Sequence, residues 1–426
     1  MRQSTFACCL SLCMALPALA ADLPVAPPDE LDALSLADKA PVTAAQPPQN
    51  WRIFVEGAGT KRVFGDGVSD VNALRASIDA RFDAQLGAGV RGVFSNRLDL
   101  VHDNAEPSAE NVNTLREAYL SWARTEGQIF DLGRVNVRHG AALGFNPTDW
   151  FKENALRSVV SPDPAVLREN RQGTVVLQAQ QLWADGGIKA TFSPKLSRTE
   201  DSGTFAINAG ATNPRNRWLL AGSLKVNEGL NPEVLLYGGD DTPTQLGLNL
   251  SGLIGDSTVV FGELALGNGR SLKAQSLNLA EAESRQQRAS LGLTYTTGFN
   301  LSFTAEAEYN SAAPDRNEWN ALADINSRAQ QQFIGTAATL QDLPVRRATF
   351  FYVTWKDAFV RRLDFSGFAR FESSTDSRAQ WAEARYRWDH ADLAVQWLLY
   401  SGDPGSVYRA IPLRKAIDLA LRFYFH

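Results

Sequence analysis

The chain has 426 residues, with 42 Lys and Arg against 47 Asp and Glu, a formal net charge of −5 and a mean hydropathy of −0.22. This mild acidity offers no electrostatic footprint for nucleic acid, and past the first residues no run approaches the ~18 apolar residues of a membrane-spanning helix. Cys8, Cys9 and Cys13 all lie near the N-terminus, so the rest of the chain has no disulfide, thiolate zinc site or cysteine nucleophile.

In chain order, Arg2, the apolar run from Phe6 to Leu16 and the small-residue end Ala18-Leu19-Ala20 predict a cleaved signal peptide over 1–20. Leu12 is too large to precede a lipidated cysteine. Residues 21–50, with Pro27-Pro28 and Pro47-Pro48, read as a flexible periplasmic leader or a loose plug. Export leaves two classes for 51–426, a soluble periplasmic protein or a transmembrane β-barrel, and periodicity separates them.

From Leu74 to Leu86 an apolar set (Leu74, Ala76, Ile78, Ala80, Phe82, Ala84, Leu86) alternates with a polar set (Arg75, Ser77, Asp79, Arg81, Asp83, Gln85). A strand puts the two sets on opposite faces. The pattern recurs down the chain in runs of about ten to thirteen residues, longer than the ~5–6 of soluble strands and matched to the ~9–11 of a tilted strand crossing a bilayer. About eighteen candidates follow: 51–59, 73–86, 88–101, 112–124, 128–138, 173–184, 187–195, 216–226, 232–238, 245–253, 257–266, 286–297, 299–309, 346–356, 361–372, 379–388, 391–400 and 415–425. Short connections fall after even-numbered strands and long ones after odd-numbered strands, as in bacterial barrels with tight periplasmic turns. Sixteen strands is the alternative, and Thr204 to Gly210 could add one. The expected fold class is all-β, a transmembrane antiparallel up-and-down β-barrel.

In the final segment Ile417, Leu419, Leu421, Phe423 and Phe425 share a face, as in the C-terminal strand read by outer-membrane assembly machinery, although His426 follows the aromatic. Trp51, Trp122, Trp183, Trp218, Trp355, Trp388 and Trp397 suit aromatic girdles. With the apolar face in lipid, the other face lines a lumen. It carries Arg75, Arg81, Arg91, Arg97, Arg362, Arg370, Arg385, Arg387 and Arg422 beside Asp79, Asp83, Asp99, Glu306, Glu308, Asp364, Glu372 and Glu383. So many charges require water. Facing ladders would set a transverse field across the pore, whereas neighbouring charges would pair and stiffen the wall.

Two long loops could narrow the pore or stay outside. In 139–171 the candidates for a constriction are Asn146, Asp149, Trp150, Arg168 and Arg171, with Thr148 or Asp149 as a helix cap. In 310–345 a helical stretch runs from about Asp315 to Phe333. His102, His139 and His390 read as interfacial residues rather than bases, and no nucleophile elbow, His-Glu-x-x-His motif or phosphate loop is present. No catalytic residue, metal or cofactor is expected.

The pattern from Trp51 to His426 resembles Gram-negative outer-membrane porins and substrate channels. Within it, Leu132-Gly133-Arg134 through Gly140, Asn146-Pro147-Thr148-Asp149 and Arg168-Glu169-Asn170-Arg171 resemble the strand and loop of alginate-export-like barrels. The first resemblance implies diffusion of small hydrophilic solutes, the second export of an acidic polysaccharide. A plugged structural barrel is the non-transport alternative. Expected partners are outer-membrane lipid and lipopolysaccharide, the barrel-assembly machinery, and a small polar solute or acidic polysaccharide.

Overall fold

A computed structural model describes residues 50–65, 67–104, 111–227, 229–326 and 328–425. The expected signal peptide and nearly all of the leader, 1–49, and His426 lie outside the described residues. From Trp51 onward the chain forms one 18-stranded antiparallel sheet. Its strands are β1 (Trp51–Phe64), β2 (Val71–Gly87), β3 (Val90–Asp103), β4 (Val112–Thr125), β5 (Gln128–Val135), β6 (Thr174–Trp183), β7 (Gly186–Ser193), β8 (Arg217–Leu224) and β9 (Leu230–Gly239). They continue as β10 (Thr242–Ile254), β11 (Thr258–Gly269), β12 (Ser284–Thr296), β13 (Leu301–Asn310), β14 (Arg347–Trp355), β15 (Leu363–Glu372), β16 (Ser377–Arg387), β17 (Ala391–Gly402) and β18 (Leu413–Phe425). Each strand pairs with its sequence neighbours, and β1 also pairs with β18 from Ile53↔Phe425 to Phe64↔Leu413, which closes the barrel.

The two faces separate as the alternation demands. On β2, Leu74 and Ile78 are 64% and 50% exposed while Ser77 and Asp79 are 3% and 1%. The apolar rows face outward and the polar rows inward, the reverse of a soluble β-protein and the arrangement lipid requires. Trp122, Trp183, Trp388 and Phe359 are exposed outward near one rim, where Trp355 meets Phe359 with ring centroids 4.6 Å apart. These residues form the aromatic girdle of the short-turn side.

Connections after even-numbered strands stay short, beginning with the Ala88-Gly89 turn. The expected long loop after β9 is instead a two-residue turn, Asp240-Asp241, because both strands run further than their apolar cores suggested and Asp241 tolerates the left-handed φ of 55° the turn needs. Thr204 to Gly210 is no strand; Thr204 accepts one backbone hydrogen bond from Asn113, and the segment leads into a short helix. Among the described residues five α-helices lie in the long loops: α1 (Pro164–Glu169), α2 (Ala209–Thr212), α3 (Leu272–Ser276), α4 (Arg316–Ile325) and α5 (Ala329–Leu340).

The single helix expected from Asp315 to Phe333 is therefore two helices, with Asp315 and Glu318 forming a capping box at the start of α4. α4 and α5 pack Trp319, Leu322, Ala329 and Phe333 into one apolar cluster with Leu272, Leu343, Val345 and Val407, and with Phe145 from the loop after β5. Loop 311–346 is thus a folded cap on the long-loop rim. Loop 136–173 goes into the barrel. At Gly133, φ is 132° and a Cβ would run into the Ala118 carbonyl and the Tyr119 backbone; β5 ends two residues later and releases the chain inward.

Candidate functional site

One side of the lumen is a packed array of ion pairs. Arg97 on β3 lies opposite Asp79 on β2, and its guanidinium reaches Glu56 of β1 at 2.8 Å, Asp99 at 2.9 Å and Asp79 at 3.7 Å. Glu56 also takes Arg75 at 2.9 Å and Arg422 of β18 at 2.6 Å, and Arg116 of β4 reaches Asp79 at 2.7 Å. Arg97, Glu56, Asp79 and Asp99 are almost fully buried among one another. Burying such charges is tolerable only because each has an opposite charge and hydrogen bonds in place.

Toward the short-turn rim the array opens. Arg81 pairs with Glu117 at 2.7 Å and Arg91 with Asp83 at 2.6 Å, while Arg52, Arg81, Asp83 and Arg91 keep between 29% and 43% of their side-chain surface exposed inside the barrel. Around the wall, Arg385 on β16 joins Glu383 at 2.8 Å and Asp392 of β17 at 2.5 Å, and Asp364 joins Arg387 at 2.7 Å. The charges pair along the wall, within a strand or between strands one or two apart, rather than standing as ladders across it. Arg362 is placed differently from expectation. It sits in the turn before β15 with φ 74° and reaches Asp389 at 2.6 Å, because Asp357 to Arg362 form a short-rim turn instead of strand.

The other side holds the inner loop 136–173. Glu306 of β13 accepts the backbone N–H groups of Leu143 at 2.7 Å and Gly144 at 3.0 Å, and Glu263 of β11 accepts that of Ala142 at 2.7 Å. Gly140, at φ 80°, lets the chain pass where a Cβ would strike the Glu263 carboxylate. Asn146 donates to the Ala142 carbonyl. Thr148 donates to Asn249 of β10 at 2.7 Å, and Trp150 stacks on Tyr237 of β9 with ring centroids 4.9 Å apart and donates to Gln245 at 2.8 Å. Arg370 of β15 pairs with Glu308 at 3.0 Å and donates to the Gly144 carbonyl.

The loop returns to the first wall. Asn170 accepts from Arg116 at 2.9 Å, and Glu169 takes Arg52 at 2.6 Å. Arg168 donates to the carbonyls of Gly140 and Ala142 at 3.1 and 3.2 Å, bracing the loop internally. Arg171 binds the buried Asp149 and also reaches Gln341, at the end of α5, at 3.1 Å. Neither Thr148 nor Asp149 caps a helix through its side chain; Asp149 precedes a single 3₁₀ turn (Trp150–Lys152), and Asp163 instead caps α1 by accepting from Ala165 at 3.0 Å.

Burial sets the electrostatics of this loop. It pushes the Asp149 carboxyl up, but Arg171, Arg168 and Lys152 outweigh it and hold the group below its ordinary range. Lys152, over the Phe145 ring and donating to the Asn146 carbonyl at 2.7 Å, is brought down to about 8 by burial. Burial raises Asp163 to about 6.

Glu372 lies at the end of β15 and accepts the Thr375 N–H at 2.9 Å, so it holds the turn to β16. The sequence reading missed Glu56, Arg116, Glu263 and Asp392; Glu56, Glu263 and Asp392 lie on the inward parity of strands it had placed, whereas Arg116 shares the parity of the outward Leu120 and Trp122 and turns inward only through the bulge on β4. It also missed an inward cluster of Phe350, Tyr352 and Trp381 with Phe368 and Leu143, which backs the inner loop with rings rather than charge. Inward aromatics do not stand out where outward aromatics flank them. His139 sits 3.3 Å from Glu233 at the root of the loop.

No family model matches the chain, and no curated protein matches its sequence. Among solved structures the fold is similar to OccK5 (OpdH) of Pseudomonas aeruginosa, with TM-score 0.53 and 10% identity over 88% of this chain and 97% of that one. It is similar also to OccAB1 of Acinetobacter baumannii (TM-score 0.54, 9% identity, 88% and 96% covered) and to OccAB4 of the same organism (0.52, 8%, 88% and 97%). At these identities the likeness is one of fold, a closed transmembrane β-barrel spanning nearly the whole of both chains.

Proposed function

We propose that the chain is a Gram-negative outer-membrane channel for passive passage of small hydrophilic or charged solutes. The observation that carries this reading is the combination of partly exposed inward charges with an inner loop bonded to strands on both sides of the lumen. A loop tied to opposite walls suits small solutes better than a polymer, which favours diffusion over polysaccharide export. Each of the partly exposed inward arginines Arg52, Arg81 and Arg91 is paired with a carboxylate (Glu169, Glu117 and Asp83), so the wall offers both signs of charge to a passing solute. The reading contains no catalytic step, and its partners are membrane lipid, the barrel-assembly machinery and the solute.

Single-channel recording of the refolded chain in planar bilayers, under a salt gradient, tests it. Stable current steps are expected, and the sign of the reversal potential reports which charge dominates the passage. Silence from a folded, heat-modifiable barrel would assign the chain to the plugged, structural class instead.

A further inference from the structure

The outward face at the β18–β1–β2 seam carries a notch in the lipid-facing wall. It has a volume of about 590 Å³ and is lined by Gly57 and Gly59 of β1, Leu74 of β2, Leu100 of β3 and Leu419 and Leu421 of β18. The register explains it. Gly57 pairs with Leu421 and Ala76, and Gly59 with Leu419 and Leu74, so two rows of large side chains are interrupted on one strand by residues that have none. A Cβ built at Gly57 would meet nothing within 4 Å, and one at Gly59 only a Leu74 methyl at 3.7 Å.

The next outward residue on β1 toward the long-loop rim is Lys61. It pairs with Ile417, and Lys415 on β18 pairs with Val63, so the two lysines are diagonal neighbours on the same face, with side-chain bases about 7–8 Å apart. Both are exposed. Their outward neighbours Val63, Ile417, Leu399 and Asn72 carry no carboxylate. A lysine in a lipid-facing row is costly at the bilayer midplane and nearly free of cost near the interface, so this pair belongs at headgroup depth. Arg285, Arg347 and Arg378, also exposed and on the outward parity of β12, β14 and β16, continue the basic rim.

We infer that this seam is a binding site for one phosphate-bearing membrane lipid, with the headgroup phosphate on Lys61 and Lys415 and an acyl chain lying in the notch floored by Gly57 and Gly59. The two halves match one amphiphile in order and polarity, with the cations on the rim side of the apolar notch. A zwitterionic lipid would fill the notch but gain less from the lysines, and inorganic phosphate would meet the lysines alone.

Native mass spectrometry of the full chain in detergent tests the site, with phosphatidic acid, phosphatidylcholine of the same acyl chains and inorganic phosphate as probes. One phosphatidic acid should be retained in preference to phosphatidylcholine, and inorganic phosphate should not displace it. The Lys61→Ala, Lys415→Ala double variant should lose about tenfold or more of that preference, from roughly 1 kcal/mol per cation near the surface. Gly59→Leu, which fills the notch, should weaken retention of both lipids while leaving the lysines intact. Heat-modifiable mobility reports that each variant is folded. Equal retention of the two lipids, retention unchanged in both variants, displacement by inorganic phosphate, or loss of a dimer in the double variant (a second copy being the occupant) would each overturn the assignment.

Discussion

Asp163 is a residue of the inner loop through which pH should act. Its carboxylate caps α1, receives the Tyr352 hydroxyl of β14 at 3.2 Å, and is faced by Glu383 and Arg385 of β16. With the docked value at about 6 and the ordinary value near 4, the docked loop holds a proton that the undocked loop has released between those two points. Docking is therefore strongest below about pH 4 and weakens as pH rises through 6, by at most about 3 kcal/mol. Lys152 shifts the other way and only above about 8, where the docked loop gains as pH rises, so the two windows do not overlap. Protease cleavage within 142–162 should be faster at pH 7.5 than at pH 5, and Asp163→Asn should reduce the difference. A wild-type rate that is flat over that range would remove Asp163 as the controlling group. At this scale the sequence declared which face a side chain takes wherever strand parity runs unbroken, and not at Arg116, where a bulge resets it. It did not declare partners. Arg97 meets Glu56 and Asp79 only because the β1–β2 and β2–β3 registers align them, and Arg116 joins them through a bulge on β4 opposite Ser95 and Asn96.

Among the elements, the strands were readable because a period of two over ten or more residues has no competing explanation. The inner loop was not, since a polar loop has the same composition whether it hangs outside or lines a wet lumen. Its placement depends on carboxylates from distant strands, Glu263 and Glu306, meeting its backbone N–H groups. The break between α4 and α5 was also hidden, because Trp319, Leu322, Ala329 and Phe333 feed one cluster and read as continuous apolar periodicity. Within the inner loop, Trp150 is the main apolar anchor beside Phe151, which packs edge-on against the same Tyr237 ring. Trp150→Ala removes the stack and the bond to Gln245 and should cost the docked loop about 3–5 kcal/mol. Single-channel currents should become larger and noisier, while heat-modifiable mobility stays that of the wild type, since no wall pairing is touched. Unchanged currents would show that the rest of the loop holds the constriction without it.

For the molecule as a whole, closure is the condition of stability. Removing 413–426 would expose the unpaired edges of β1 and β17 to lipid, where each unsatisfied backbone group costs several kcal/mol. That truncation should yield no heat-modifiable species on refolding, whereas deleting the cap 311–346 should leave the barrel competent to fold. A folded, heat-shifted truncation would mean that the seam contributes little. Strand number was legible from loop parity, and the connections that broke the pattern, Asp240-Asp241 after β9 and residues 373–376 after β15, left the count unchanged because each is a tight turn on the long-loop rim. The inner loop touches β1 and β4 on one side and β10, β11, β13, β14 and β15 on the other. It is a spoke as well as an obstacle. A hoop with a rigid spoke resists becoming oval, so lateral pressure from the bilayer is carried across the bore instead of deforming it, and a spoke fixed at both ends has no hinge on which to swing aside.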